Sequence, residues 1–232
     1  MEEKLSSEEL EEFLSKSTSR HRACRPPKEA YLFFPKGTDM MEWDEKQPKK
    51  TMRRVFEGGV EYNEFELQIL NEFKREIEKY NEKHSNSFFF PDNWKEANTL
   101  RFIQGSAYNI QKAIENLMSH FLWRNETLPV QVDDKIMEIL NLGFIYGHGR
   151  DTNYRPIFII NARVFNENLQ VYSVEDWINS LVYFIEYMIE NMCIPGQVEN
   201  WNIILDVKDF SMIFVPAQLK TIFSLDFMFE ND

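Results

Sequence analysis

The chain has 232 residues, of which 43% are hydrophobic and 15% aromatic, and it carries a formal net charge of −12. That composition fits a packed globule and excludes general disorder; the length allows one domain, or one domain with an extension. The acidic balance repels phosphate backbones and excludes nucleic acid as a general partner, and no run approaches the roughly 18 apolar residues needed to cross a bilayer.

Residues 1–60 read as an acidic, partly irregular N-terminal extension. The opening MEEKLSSEELEEF is acidic and amphipathic, the reverse of a signal peptide's order, so a cytoplasmic location is expected. Ser7–Leu14 is a short helix candidate, and Pro26-Pro27, Pro35, Pro48 and Gly58-Gly59 interrupt the rest of the extension. Basic residues cluster at Arg20–Lys28 and Lys49–Arg54. Such a patch could touch anionic lipid headgroups, and a solvated basic loop is the plainer reading. Tyr31-Leu32-Phe33-Phe34 is apolar enough to fold back as a lid.

Residues 61–130 form a helical subdomain. Tyr62, Phe65, Ile69, Phe73, Ile77 and Tyr80 recur at steps of three and four, which places them on one helix face. Asn63 followed by Glu66 resembles a capping box. The cluster Phe88-Phe89-Phe90 reads as a core plug beneath a loop rather than a membrane insert. Leu100, Ile103, Ala107, Ile110, Ile114, Leu117 and Phe121 continue at helical spacing. Gly105-Ser106 interrupts them and Asn109 can cap a new helix, so two short helices are expected, closed by Pro129.

Residues 131–232 change character. Ile157-Phe158-Ile159-Ile160 reads as a strand buried on both faces. Ser173 and Asp176 open a helix, expected over Val174–Met192, that Pro195-Gly196 ends. Trp201–Val207 is a second buried strand, so Ile157–Asn161 and Ile203–Val207 should be parallel with the helix across one face. Pro216 then opens one more helix, Ala217–Phe229. The fold class is α/β: an N-terminal helical subdomain followed by a βαβα mixed sheet.

Chemical signatures are sparse. There is no GxSxG, GxxxxGKS/T, HExxH or CxxC. Gly147-His148-Gly149 precedes a strand, whereas a dinucleotide fingerprint comes after one. His21, His84, His120 and His148 are too scattered for a metal cluster, and His148 reads as a loop histidine in a turn. Asp206 and Asp209 read as turn or capping residues. Cys24 and Cys193, far apart, suggest neither a disulfide framework nor a zinc site. No enzymatic activity, catalytic residue, metal or cofactor is expected.

Two regions resemble a known family. Asn98-Thr99-Leu100-Arg101-Phe102-Ile103 and the helix through Trp123-Arg124 resemble the N-terminal helices of CRAL-TRIO lipid-binding proteins, with their T-L-x-R-F-L and W-R. His148-Gly149-Arg150-Asp151 with Arg155-Pro156 resembles the family's H-G-R-D…R-P, and Ile204–Ser211 its D-L/V-x-G-x-S strand and turn. Order and spacing agree over roughly residues 62–225. The resemblance implies a sheet flooring an apolar pocket for a phospholipid or other lipophilic ligand, with transient membrane contact. Phe158, Ile160, Tyr187, Ile203, Leu205, Phe210 and Ser211 are its expected pocket residues. A degenerate pocket serving protein interaction or membrane recruitment is the alternative.

Three departures from the family stand out. Ser106 and Ala107 occupy positions that are basic in the phosphatidylinositol-transferring branch, and Asp209 replaces a Gly. The family also continues beyond the equivalent of Asp232, so the domain is expected to be incomplete there. Leu219, Ile222, Phe223, Leu225, Phe227, Met228 and Phe229 cover more than one helix face, and a homodimer or a captured apolar molecule is expected to cover them.

Overall fold

The structure, a computed structural model, describes residues 25–209 apart from 43, 45, 48, 50–52, 58–60, 84–89 and 93. The helices expected at Ser7–Leu14 and Ala217–Phe229, and the residues Phe88, Phe89, Phe210 and Ser211, lie outside the described residues. The chain forms two units. Over its described residues one comprises 36–131, and the other joins 25–35 to 132–209. The expected extension therefore divides between them.

In the first unit a short 3-10 turn, Gly37–Asp39, leads to the antiparallel pair β1 (Met41–Glu42) and β2 (Arg53–Arg54). Three helices come next: α2 (Glu64–Lys83), α3 (Glu96–Gly105) and α4 (Ile110–Thr127). The capping box at α2 is as expected, with Glu66 N–H donating to Asn63 Oδ1 at 2.9 Å and Asn63 N–H to Glu66 Oε2 at 3.0 Å. The helical break also falls where Gly105-Ser106 places it. Ala107 and Tyr108 turn the chain through left-handed φ of 50° and 59°, and Asn109 Oδ1 accepts from Lys112 N–H to start α4. The apolar faces meet in one core around Phe73, Leu100, Ile103, Ala113 and Leu117. Phe90 stacks on Trp94 at 5.7 Å against that core, as a plug would.

No local sequence pattern hints at what secures β2 to this core. Arg54 is fully buried with Glu66: Nε lies 2.7 Å from Oε1 and Nη2 donates to Oε2 at 3.1 Å. Arg54 Nη1 donates to Val55 O, and the guanidinium lies 5.5 Å from the Tyr62 ring centroid and 5.7 Å from that of Phe56. Burial pushes the Glu66 carboxyl above its ordinary value, and Arg54 and the Asn63 amide only partly offset this. Desolvation thus outweighs pairing at this site.

In the second unit α1 (Lys28–Tyr31) precedes, and after the helical unit come α5 (Asp134–Asn141), β3 (Ile145–Arg150), β4 (Pro156–Asn161), α6 (Ala162–Asn168), α7 (Val174–Met192) and β5 (Asn202–Asp206). The sheet order is β3-β4-β5, with β4 antiparallel to β3 and parallel to β5. The expected strand–helix–strand unit is present, and α7 has the expected bounds. Its cap is reciprocal, with Asp176 N–H donating to Ser173 Oγ and Ser173 N–H to Asp176 Oδ2.

Four features differ from the sequence reading. The segment around Gly147–Gly149 is a strand, not a loop, so His148 is a strand residue. The short helices α5 and α6 were not expected. β4 is not equally buried on its two faces: Pro156, Phe158 and Ile160 are buried, while Ile157, Ile159 and Asn161 are half-buried. β5 is largely exposed, with Ile204 at 52%. The reason is placement: α7 covers one side of β4, and β5 is the edge strand among the described residues.

Candidate functional site

Side chains alternate across a strand and register partners share a face, so the two sides of the sheet can be assigned. On one side stand Ile145, Gly147, Phe158, Ile160, Ile203 and Leu205. This is the α7 side. Phe158 is 2% exposed, packs with Met188 and Met192, and meets Phe184 edge-to-face at 5.4 Å. A Cβ added at Gly147 would lie 3.5 Å from Met192 Cε, so the helix lies close over that position. Farther along, Trp177 is buried among the rings of Phe144, Phe165 and Tyr172 at 5.0, 4.8 and 5.9 Å.

The opposite side carries Tyr146, Ile157, Ile159 and Ile204. Tyr146 pairs with Ile159 and Ile159 with Ile204, giving one apolar row across all three strands. Tyr146 is 41% and Ile204 52% exposed. Polar residues flank the row: Asn202, paired with Ile157, at one end, and the pair Asp206–Asn161 at the other. His148 lies near Tyr146, with ring centroids 6.5 Å apart. The side of the sheet away from α7 is therefore an apolar floor with hydrogen-bonding groups at its ends.

The H-G-R-D…R-P residues build the corner that holds this floor. Gly149 has φ 91°, which L side chains rarely adopt, at the point where the β3–β4 register shifts. Arg150 Nη1 donates to Tyr154 O at 2.8 Å and to Met192 O at 2.9 Å, satisfying a carbonyl at the C-terminus of α7. Asp151 Oδ1 accepts from the N–H groups of Asn153 and Arg155, both at 2.9 Å, and its Oδ2 accepts from Asn202 Nδ2 at 3.0 Å. Two adjacent residues thus tie the β3–β4 turn, the end of α7 and the start of β5. Their work here is architectural.

Of the pocket residues expected from sequence, Phe158, Ile160, Ile203 and Leu205 lie together, on the α7 side, with Phe158 and Ile160 in the core. Tyr187 is half-buried on α7, one turn from Tyr183 and 6.4 Å from its ring. Phe210 and Ser211 are outside the described residues. Sequence reasoning missed Tyr146, Ile157, Ile159 and Ile204. A run of four apolar residues shows no period, so it cannot reveal which face is covered; Gly147, with its room for a packed helix, was the available clue.

The turn after β5 matches its sequence reading: Asp206 Oδ1 accepts from Lys208 N–H at 3.0 Å. Asp209 has φ 58°, so the Asp in place of the family's Gly still takes the left-handed conformation, which Asp tolerates better than most residues.

A hollow of about 570 Å³ lies elsewhere, in the helical unit. Its lining combines Phe65, Ile69 and Ile110 with Gln68, Glu72 and Glu76, and an acyl chain there would lie against two carboxylates. Among the described residues no His, Cys, Asp and Glu group could hold a metal, and no helix is long and apolar enough to cross a membrane.

Comparison with known proteins gives one family. Residues 140–230 match the family model of the CRAL/TRIO domain, a stretch that includes the end of α5 and, among the described residues, all three strands β3, β4 and β5. No curated protein matches the chain significantly. The matched residues contain the βαβ unit, the Arg150–Asp151 corner and the apolar row, and over residues 140–230 the chain is similar to the CRAL/TRIO domain.

Proposed function

We propose that the chain binds one lipophilic molecule, a phospholipid or a compound of similar character, against the open face of its sheet, exchanges it at membrane surfaces and performs no chemistry on it. The observation that carries this reading is the row Tyr146–Ile159–Ile204, an apolar surface on the side of the sheet that α7 leaves uncovered. Burying each CH₂ is worth about 0.8 kcal/mol, so a two-chain lipid leaves a bilayer only for a comparably apolar surround. Shape and a few polar contacts then set selectivity. A cytoplasmic protein acting transiently at membranes fits this reading.

Phosphatidylinositol should not be strongly preferred. Ser106 is 2% exposed and its Oγ accepts from Asn116 Nδ2 at 3.1 Å, and Ala107 forms the α3–α4 turn. Both positions serve the helical unit. Transfer assays should show less than about a hundredfold preference for phosphatidylinositol over phosphatidylcholine, equivalent to about 2.7 kcal/mol. Native mass spectrometry of the purified chain, with lipid extraction, tests the reading itself. Recovery of a bound lipid that Ile159→Asp removes supports it; a lipid-free wild type sinks it.

The exposure of Tyr146 and Ile204 favours one further arrangement, a homodimer in which a second copy covers the row. Light scattering over a dilution series separates the two readings, since a lipid carrier stays monomeric with its ligand bound.

A further inference from the structure

The segment 25–35 is a docked strap with an outward face. Ala30 is fully buried against Ile194 and Val198, with Tyr31, Phe33 and Tyr154 packed around them. Phe33 meets Tyr154 edge-to-face at 5.5 Å, and Gln197 Nε2 donates to Tyr31 O at 3.1 Å. Burial raises the Tyr31 hydroxyl above its ordinary value, with Arg25 and Arg150 opposing. The strap is therefore fixed to the sheet unit on the segment that links α7 to β5. Leu32 and Phe34, on either side of Phe33, are 47% and 43% exposed. Arg25 and Lys28 precede them in the strap, both half-buried.

Charge sets this segment, like Lys49–Arg54 in the helical unit, apart from most of the molecule. Residues 20–35 hold four basic side chains, Arg20, Arg22, Arg25 and Lys28, against the single acid Glu29, in a chain of net charge −12. An acidic protein repels an anionic bilayer through most of its surface and approaches it best through such a segment. A fixed pair of large apolar side chains beside cations is also the composition of an interfacial anchor: apolar area enters the headgroup boundary while cations meet the lipid phosphates. A protein partner with an acidic groove would match the charge alone.

We propose that the strap is the membrane-docking surface of this protein, with Leu32 and Phe34 inserting into the interface of an anionic membrane and Arg25 and Lys28 contacting its headgroups. This deepens the lipid-exchange reading and rests on it for its purpose. Held at the α7–β5 link, the anchor would present the sheet unit to the bilayer in one orientation.

The test is co-sedimentation of the full chain with vesicles of phosphatidylcholine, alone and mixed with phosphatidylserine. Wild type should prefer the mixed vesicles and lose binding as salt rises. Each cation near an anionic surface strengthens partition about fivefold, so Lys28→Glu should weaken binding at least that much. The exposed pair Leu32→Ser/Phe34→Ser should lose about tenfold or more, while Leu122→Ser, an exposed leucine of the helical unit, should change nothing. If the double variant melts early by circular dichroism, Lys28→Glu alone decides. Equal sedimentation of variants and wild type, indifference to phosphatidylserine, or a wild-type dimer dispersed by the double variant would overturn the proposal. Native mass spectrometry on the same samples separates the two ideas. A carried lipid with no strap-dependent docking removes this inference and keeps the lipid reading. Strap-dependent docking without a carried lipid does the reverse.

Discussion

Glu66 shows how little a residue's type reveals about its surroundings. As the second member of a capping box it was legible, because that role needs only two residues three apart. Its burial with Arg54 was not, since the partner comes from a strand whose position no local pattern fixes. Removing one charge of such a pair leaves the other stranded, so Glu66→Gln should cost about 3–5 kcal/mol in urea unfolding. The apolar pair Arg54→Met/Glu66→Leu should be far milder, near neutral, because desolvation already exceeds pairing at Glu66. A double variant as damaged as the single one would refute that balance. At the corner, Asp151→Ala releases two backbone N–H groups and Asn202 together. A loss of about 2 kcal/mol is expected, with most local amide-exchange protection lost in β3–β4 and at the start of β5.

Among the elements, legibility depended on length and capping. α2, α4 and α7 run for 20, 18 and 19 residues, and each begins at a side-chain cap that the sequence displays. α5 and α6 have 8 and 7 residues, too few turns for a period to show. β3 was concealed by Gly147 and Gly149, residues that argue against a strand until a bulge and a closely packed helix account for them. The parallel pairing of β4 and β5 was readable from the length of the crossover, but the working face of the sheet was not, because it depends on which side α7 takes.

The α7 cap also gives the protein an acid-sensitive point. The Asp176 carboxyl is held below its ordinary value, chiefly by the Ser173 hydroxyl, then by the Ser173 amide and Lys135. A depressed folded value means that the contribution is complete above the ordinary aspartate range and is lost as pH falls through the folded value. Asp176→Asn should therefore cost about 1 kcal/mol at neutral pH and progressively less under acid. Thermal melts of both proteins from neutrality down to pH values below about 4 should converge; a constant gap would show that Asp176 acts by packing alone.

At the scale of the molecule, the sheet unit draws on chain segments both before and after the helical one in sequence. The apolar quartet Tyr31–Phe34 is visible in the sequence, and its composition suggests a lid. Two of the four, Tyr31 and Phe33, pack beside Ala30 against the α7–β5 link instead, and Leu32 and Phe34 stay exposed. Deleting residues 1–35 should therefore expose Ile194 and Val198 and lower the stability of the sheet unit by about 2–4 kcal/mol, leaving the helical unit nearly unchanged. Tryptophans report each unit separately: Trp94 in the helical unit, Trp177 on α7 in the sheet unit.

The hydrogen bond from Gln197 to Tyr31 joins residues 166 apart. Closing a flexible loop of that length costs on the order of 4–5 kcal/mol of chain entropy, whereas the helical unit closes mostly short loops. During synthesis the strap emerges early but waits for its receptor until Gln197 has left the ribosome. Folding should then run inside-out: helices first, sheet second, strap last. Stopped-flow refolding should show Trp94 reaching its final signal before Trp177, and the Tyr31 segment gaining amide protection only in the slowest phase.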